Sequence, residues 1–207
     1  MIGFISHIRI FLFCLLCFAA PLSSHGATIL VLGDSISAGY GLDNPDRGWV
    51  SILAEKIKSA GKPWDIVNAS ISGEVSVGGL SRIDFLLDKH KPRILILELG
   101  ANDGLRGLQP SLMQANLSEI ILRGKKSGAK IVLLGMRIPP NYGKRFNDLF
   151  EAVFPALAKQ HGTAYVPFLL EGVGGNAKLM QPDGLHPNAD AQPVLMQLVW
   201  EKLEPML

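Results

Sequence analysis

The sequence contains only two cysteines among its 207 residues, and both of them, Cys14 and Cys17, stand near its start. The rest of the sequence has no thiol, so it can form no disulfide. It can also hold neither a catalytic cysteine nor a cysteine-ligated zinc ion. Any fold beyond that first segment must therefore be stabilised by its apolar core, without covalent cross-links.

The two cysteines belong to an apolar segment that is too short to cross a membrane. This segment, residues 10–20, is about 11 residues long and follows a stretch with one cation, Arg9, and no acid. A spanning helix needs about 20 apolar residues, whereas this order is typical of a secretory signal peptide. We therefore predict a signal peptide over residues 1–26, cleaved after Gly26, and one domain over residues 27–207.

This interpretation predicts a periplasmic protein, with full secretion also possible, and no stable membrane anchor after cleavage. Two alternatives remain for the segment itself. It could stay attached as an uncleaved anchor, or Cys17 could be a lipoprotein site. The second alternative is less favourable, because Leu16 stands where a small residue is expected.

Neither sign of charge dominates, since 20 Lys and Arg stand against 18 Asp and Glu. No basic stripe occurs, which excludes the electrostatic pattern of a nucleic-acid-binding protein. The densest basic cluster, residues 123–130, is interpreted as a solvated helix end. His90 and His161, near predicted helix ends, are also interpreted as solvated. Ligand-spaced clusters of His, Asp and Glu are lacking, so we expect no metal and no other cofactor.

Short apolar runs alternate with longer amphipathic segments beyond the leader. Runs that are apolar at every position are typical of strands covered on both faces of a parallel sheet. They predict five strands, at residues 28–32, 65–68, 93–99, 130–135 and 164–167. Apolar spacing of three and four residues predicts helices between them. The expected buried helix faces include Leu53, Ile83, Leu112, Ala115 and Ile120. This alternation specifies an α/β doubly wound domain of about five parallel strands.

Ligands bind beyond the carboxyl ends of the strands in such a sheet, and suitable residues follow each of the first three strands. Ser35 follows the first strand in a Gly-Asp-Ser turn, where its hydroxyl would project next to a helix start. Gly73 follows the second strand, and its missing Cβ lets its N–H approach a ligand closely. Asn102 follows the third and offers a neutral N–H donor suited to an oxyanion. Each residue alone is also compatible with an ordinary cap or turn.

His186 lies in a loop before the last predicted helix, three residues after Asp183. A serine hydroxyl needs a base to act as a nucleophile at neutral pH, and histidine titrates in the right range. A carboxylate can orient the imidazole ring, and Asp183 can curl back across Gly184 to reach it. The order Ser, Gly, Asn, Asp-x-x-His therefore predicts that four distant segments meet in one hydrolytic site.

These segments resemble the four sequence blocks of the SGNH (GDSL) hydrolase family. The matching stretches are residues 32–40, 67–73, 98–107 and 183–188, with further similarity at 137–143 and 189–193. They are most similar to the branch of periplasmic multifunctional thioesterases, arylesterases and lysophospholipases. The resemblance implies a three-layer α/β/α, flavodoxin-like fold.

The resemblance also implies roles for individual residues. Ser35, Asp183 and His186 would form a catalytic triad. The backbone N–H groups of Ser35 and Gly73, together with the Asn102 side chain, would form an oxyanion hole. The expected substrates are small acyl esters or thioesters, and the enzyme is expected to be a monomer.

An acyl groove should be apolar, and several apolar residues flank the active strand ends. The candidates are Val75, Leu80, Leu105, Leu108, Ile138 and Pro139. In the branch that the sequence resembles, the loop after Gly73 moves over the groove. Here Glu74 stands where that branch has Asp, and the stretch 75–79 replaces a more polar one, which leaves the preferred acyl length open.

Three alternatives remain at this point. A carbohydrate O-acetyl esterase would use the same residues. A flavodoxin-like binding module would hold a phosphate or flavin at the Gly33 turn, but it would leave Asn102 and the Asp183–His186 pair unexplained. A metal-dependent hydrolase would need a cluster of ligands that the sequence lacks.

Overall fold

The computed structural model describes residues 26–207, and at its centre is a five-stranded parallel sheet. The strands are β1 (Ala27–Gly33), β2 (Trp64–Asn68), β3 (Ile94–Glu98), β4 (Lys130–Leu134) and β5 (Ala164–Val166). They lie side by side in the order β2-β1-β3-β4-β5. The prediction of a doubly wound sheet of five parallel strands is confirmed.

Helices cover both faces of this sheet. They are α1 (Ser35–Ala38), α2 (Trp49–Ser59), α3 (Ser76–His90), α4 (Ala101–Leu105), α5 (Pro110–Lys126), α6 (Lys144–His161) and α7 (Gln192–Leu203). Helix α2 packs against α7, and α5 packs against both α3 and α6. Two helical layers therefore enclose the sheet, which gives the expected three-layer α/β/α architecture.

The centre of the sheet is the most deeply buried part of the described chain. Leu30 in β1 lies opposite Leu95 in β3, and both side chains are fully buried. Burying an aliphatic side chain stabilises the fold by about 1.5–3 kcal/mol. Continuous apolar runs at β1 and β3 are explained by this position, because helices remove both faces of these strands from water.

The buried face of α5 differs from the prediction. Leu112 is 57% exposed and Ala115 is exposed, whereas Met113 is buried. Helix α5 begins with Pro110 in its first turn, and from that start Met113 and Leu117 turn toward the sheet. The prediction is confirmed for Ile120, which is fully buried, and is wrong for Leu112 and Ala115, which lie to the side of the buried stripe that runs through Met113 and Leu117.

The prediction that His161 is solvated is also wrong. His161 ends α6, is buried, and places its Nε2 atom 2.8 Å from Ser118 Oγ. Lys125 donates to the His161 carbonyl oxygen at 2.6 Å, so part of the basic cluster caps a neighbouring helix. Burial, followed by the nearby charge of Lys125, lowers the pKa of His161. The ring is thereby held neutral at the packed end of the helix.

No helix within residues 26–207 has both the length and the apolar composition that a membrane crossing requires. The predicted signal peptide lies outside the described residues, except for its last residue, Gly26.

Candidate active site

The carboxyl ends of β2, β1 and β3 are neighbours in the sheet, so the residues after these strands meet at one edge. Ser35 is the first residue of α1, which follows β1 directly. Gly73 lies between β2 and α3, and Asn102 lies in α4, just after β3. The fold therefore brings three of the predicted residues to one rim of the molecule.

The fourth segment reaches the same rim from the far end of the chain. His186 Nε2 lies 2.9 Å from Ser35 Oγ, although 151 positions separate the two residues. On the other side of the ring, His186 Nδ1 lies 2.6 Å from Asp183 Oδ2. The hydroxyl, imidazole and carboxylate form one hydrogen-bonded series, which is the arrangement that activates a serine nucleophile.

Asp183 is held in its ionised form by the loop around it. The carboxylate accepts hydrogen bonds from the backbone N–H groups of Leu185 and His186 at 2.9 and 3.0 Å. Partial burial alone would raise the pKa of Asp183, but the bond from the His186 ring and these backbone bonds outweigh it and lower the pKa to about 2. A negative charge is therefore present beside the imidazole throughout the neutral range.

The loop that carries His186 is attached by two glutamine side chains that the sequence analysis did not single out. Gln181 Nε2 donates to the carbonyl oxygens of Tyr40 and Pro187, at 2.8 and 3.1 Å. Gln192 Oε1 accepts from the Trp49 N–H at 3.0 Å, and its Nε2 donates to the Pro187 oxygen at 3.3 Å. The loop is thereby tied both to the turn after Ser35 and to the start of α2.

Tyr40 covers one face of the histidine. Its ring centroid lies 4.6 Å from that of His186, with the planes tilted by 43°. Contact of this kind restricts rotation of the imidazole. The sequence contains no signal for this role, because the contact depends on how the turn and the distant loop pack together.

The Asn102 side chain does not lie free at the rim. Its Nδ2 donates to Asp34 Oδ2 at 2.9 Å, and Asp34 also accepts from the Ile36 N–H at 3.0 Å as the cap of α1. Below it lies Glu98, which is fully buried and accepts from the Asp34 N–H at 3.1 Å. These two acids were missed, since Asp34 resembles an ordinary cap and Glu98 ends an apolar run.

The loop after Gly73 is fixed by polar contacts. Gly73 has a φ of +77°, a conformation that favours glycine, and its carbonyl oxygen accepts from Arg106 at 2.8 Å. Glu74 forms a half-buried ion pair with Arg82. Ser76 N donates to Asp103 Oδ2 at 2.7 Å. The departures from the family pattern in this loop are thus accompanied by an ion pair and by an anchor on α4.

The predicted acyl-groove residues lie in different environments. Leu108 is 37% exposed, and Val75, Leu80, Leu105 and Pro139 are half-buried. Ile138 is buried in the core. The Tyr142 hydroxyl donates to the Leu105 carbonyl oxygen at 2.7 Å, which brings the segment after β4 next to α4.

Groups of three or more His, Cys, Asp or Glu that could hold a metal ion do not occur within residues 26–207. Together, the three-layer parallel fold and the serine, histidine and aspartate at its carboxyl edge define a hydrolase of the serine type.

The comparison with known families identifies the family within this class of hydrolases. The model of the GDSL-like lipase/acylhydrolase family matches residues 31–192, a range that contains all the predicted triad and oxyanion-hole residues. The chain belongs to this family and is a carboxylic ester hydrolase.

Individual relatives cover most of the chain. Esterase TesA of Pseudomonas aeruginosa is 49% identical over 180 residues, which is 87% of this chain and 89% of that protein. The thioesterase 1/protease 1/lysophospholipase L1 of Escherichia coli K12 is 42% identical over 180 residues, 87% of this chain and 85% of that protein. Among solved structures, the crystal structure of TesA superposes with a TM-score of 0.84 at 49% identity and covers 87% of this chain and 99% of that one.

Proposed function

We propose that this chain hydrolyses acyl esters and thioesters through an acyl-enzyme formed on Ser35. The observation that carries the proposal is the continuous hydrogen-bonded path from the Ser35 hydroxyl through the His186 ring to Asp183. In the first half of the reaction, His186 takes the proton as Ser35 Oγ attacks the acyl carbon. The protonated ring then gives that proton to the leaving thiol or alcohol.

Water completes the reaction by the same route. His186 takes a proton from a water molecule, the resulting hydroxide attacks the acyl-enzyme, and the ring returns the proton to Ser35 Oγ. Asp183 stays ionised and stabilises the imidazolium in both halves. Its lowered pKa of about 2 supports this role, because the charge persists at any pH at which His186 can act as a base.

The oxyanion that forms in each half needs nearby donors. We assign this role to the backbone N–H groups of Ser35 and Gly73 and to the Asn102 side chain. All three residues follow adjacent strands at one sheet edge, and Gly73 has no Cβ to keep a carbonyl oxygen away. The tetrahedral intermediate is then held at the edge where the nucleophile stands.

The substrate class follows from the relatives and from the apolar rim. The E. coli relative is named a thioesterase and a lysophospholipase, and the P. aeruginosa relative is named an esterase. Val75, Leu80, Leu105, Leu108, Ile138 and Pro139 are proposed to contact the acyl chain. We further propose that the protein acts as a monomer in the periplasm, after removal of the leader.

Replacing the nucleophile tests the chemistry. Ser35→Ala should abolish both hydrolysis of p-nitrophenyl butyrate and covalent labelling by a fluorophosphonate, because Ser35 has the only hydroxyl within residues 26–207 that is hydrogen-bonded to His186. Ser59→Ala, at an exposed serine ending α2, is the matched control and should keep both. Labelling that survives in Ser35→Ala would place the nucleophile elsewhere.

A rate series tests the substrate class. The esters compared are acetyl, butyryl, octanoyl and palmitoyl p-nitrophenyl esters, with palmitoyl-CoA and a lysophospholipid beside them. An acyl groove predicts that kcat/KM is higher for octanoyl than for acetyl esters, since each buried methylene contributes about 0.8 kcal/mol. A preference confined to acetyl esters would instead identify an O-acetyl esterase.

A further inference from the structure

Asp34 is almost completely buried next to the nucleophile, yet the proposed reaction gives its carboxylate no role. Only 1% of the residue is exposed. Oδ1 accepts from the Ile36 N–H at 3.0 Å, and Oδ2 accepts from Asn102 Nδ2 at 2.9 Å. The first contact caps a helix of four residues. The second is directed at the one side-chain donor proposed for the oxyanion hole.

Glu98 holds this carboxylate from below. Glu98 Oε2 accepts from the Asp34 N–H at 3.1 Å and from the Ser37 hydroxyl at 2.7 Å. Its Oε1 receives no N–H or O–H from any described residue. Burial and then the nearby charge of Asp34 raise the pKa of Glu98 well above its usual value. Glu98 is therefore the protonated member of the pair.

Asp34 is the ionised member of this pair of carboxyl groups. Burial raises the pKa of Asp34 to about 6, against the effect of its hydrogen bonds. Above that pH the group is an anion and can only accept hydrogen bonds. An anionic Oδ2 attracts the N–H₂ end of the Asn102 amide and repels its oxygen end.

This selection matters because the terminal torsion of asparagine is broad and roughly two-fold. Of the two orientations, only one presents an N–H toward an incoming acyl oxygen. The other presents the amide oxygen, which would repel a developing oxyanion. A fixed acceptor behind Nδ2 removes the second orientation.

We propose that Asp34 is a positioning residue that orients the Asn102 amide as an oxyanion donor, with Glu98 locking Asp34 in place. The inference rests on the proposed function, because it assumes that Asn102 binds the oxyanion. Asp34 does not touch the substrate and acts through Asn102 alone.

Loss of activity in an Asp34 variant would not by itself identify this route. The charge of Asp34 also lies within electrostatic range of His186, and its cap stabilises the helix that begins at Ser35. A double-mutant cycle separates these routes, since two residues that act through one contact give non-additive losses.

The cycle compares wild type, Asp34→Asn, Asn102→Ala and the double variant on p-nitrophenyl butyrate. Asp34→Asn keeps the size of the side chain but cannot accept at both former oxygen positions. It should lower kcat about 10-fold to 100-fold, less than the loss of a whole donor, with KM changed by less than about 3-fold. In the Asn102→Ala background the same change should cost less than about 3-fold, because there is no amide left to orient.

Two controls accompany the cycle. Asp34→Ser keeps a good helix cap but cannot reach Asn102, and it should reproduce the loss in kcat if the cap is not the cause. Asp43→Asn, at an exposed aspartate before α2, should behave as wild type. Circular dichroism melting of each variant establishes that it is folded.

The outcomes distinguish the two proposals. If Asp34→Asn lowered kcat equally in the wild-type and Asn102→Ala backgrounds, the inference would be overturned. The effect of Asp34 would then come from its charge near His186 or from its cap on α1. An Asp34→Ser variant with normal kcat would also overturn it. If Asn102→Ala alone kept near-normal kcat, the oxyanion-hole assignment itself would be wrong.

Discussion

At the scale of single residues, Glu98 shows how a buried acid can be retained in the centre of an apolar sheet. It ends β3 and is fully buried, beside the backbone of the turn that presents Ser35. Burying an ionised carboxylate costs several kcal/mol, whereas a protonated one behaves as a neutral donor and acceptor. The raised pKa of Glu98 is the physical consequence of this difference.

The protonated state of Glu98 makes stability depend on pH. Above the usual pKa of 4.5 the unfolded chain releases this proton while the folded chain keeps it. The contribution of this proton to the free energy of unfolding is thus complete below about pH 4.5 and is lost as the pH rises through the pKa of Glu98 in the folded protein. The loss amounts to about 1.4 kcal/mol for each unit by which the folded and unfolded pKa values differ.

Glu98→Gln keeps the shape of the side chain and removes its titration. We expect the free energy of unfolding of this variant, relative to wild type, to rise as the pH increases above the usual pKa of 4.5. Urea unfolding followed by circular dichroism at several pH values measures this difference. A difference that stays constant with pH would mean that Glu98 is ionised in the folded protein.

At the scale of elements, the loop that carries His186 depends on the start of α7. Gln192 is 1% exposed, and its side chain joins the Trp49 N–H to the carbonyl oxygens of Pro187 and Asn188. A glutamine in the first turn of a helix is thus shared between two helices and the loop between Asp183 and α7. The loop is otherwise held by the Gln181 side chain and by a short isolated pairing between Met180 and Pro187.

Gln192→Ala should both destabilise the protein and lower its kcat. Leaving the Trp49 N–H buried and unpaired costs about 1–3 kcal/mol, and a looser loop lets the His186 ring leave Ser35. Urea unfolding and kcat measure the two effects. Gln197→Ala, on the exposed side of the same helix, is the control and should change neither. A Gln192→Ala variant that loses stability but keeps full kcat would show that this side chain does not position His186.

The sequence predicted the strands and helices better than it predicted which helix residues are buried and which polar side chains form contacts. The five strands were predictable because helices on both faces demand apolar residues at every position of β1 and β3. Asp183 and His186 were predictable because three positions across a glycine turn suffice to bring them together. Leu112 was wrongly predicted to be buried, since it stands one position before Met113, where the buried stripe of α5 begins. The partners of Gln181 and Gln192 are backbone groups of distant segments, which no local pattern contains.

At the scale of the whole molecule, residues 27–207 contain the apolar core of the described part of the chain and no cysteine. A chain that begins at Ala27 should therefore fold without export, disulfide formation or any oxidant. We expect it to hydrolyse p-nitrophenyl butyrate with the kcat of the protein obtained by expressing all 207 residues, and to melt at the same temperature with and without dithiothreitol. Inactivity of this shorter chain, or a melting temperature that falls with the reductant, would contradict a single core without cross-links.

The pairing of Ser35 with His186 has a consequence for the life of the polypeptide. The two atoms that lie 2.9 Å apart belong to residues separated by 151 positions. The loop that carries His186 is among the last parts of the chain to leave the ribosome. Under the proposed mechanism, a nascent or still-extended chain has a serine without its base and should not react with the acyl thioesters of the cell that makes it. Hydrolytic activity should then appear only when folding is complete, so that turnover would report that event directly.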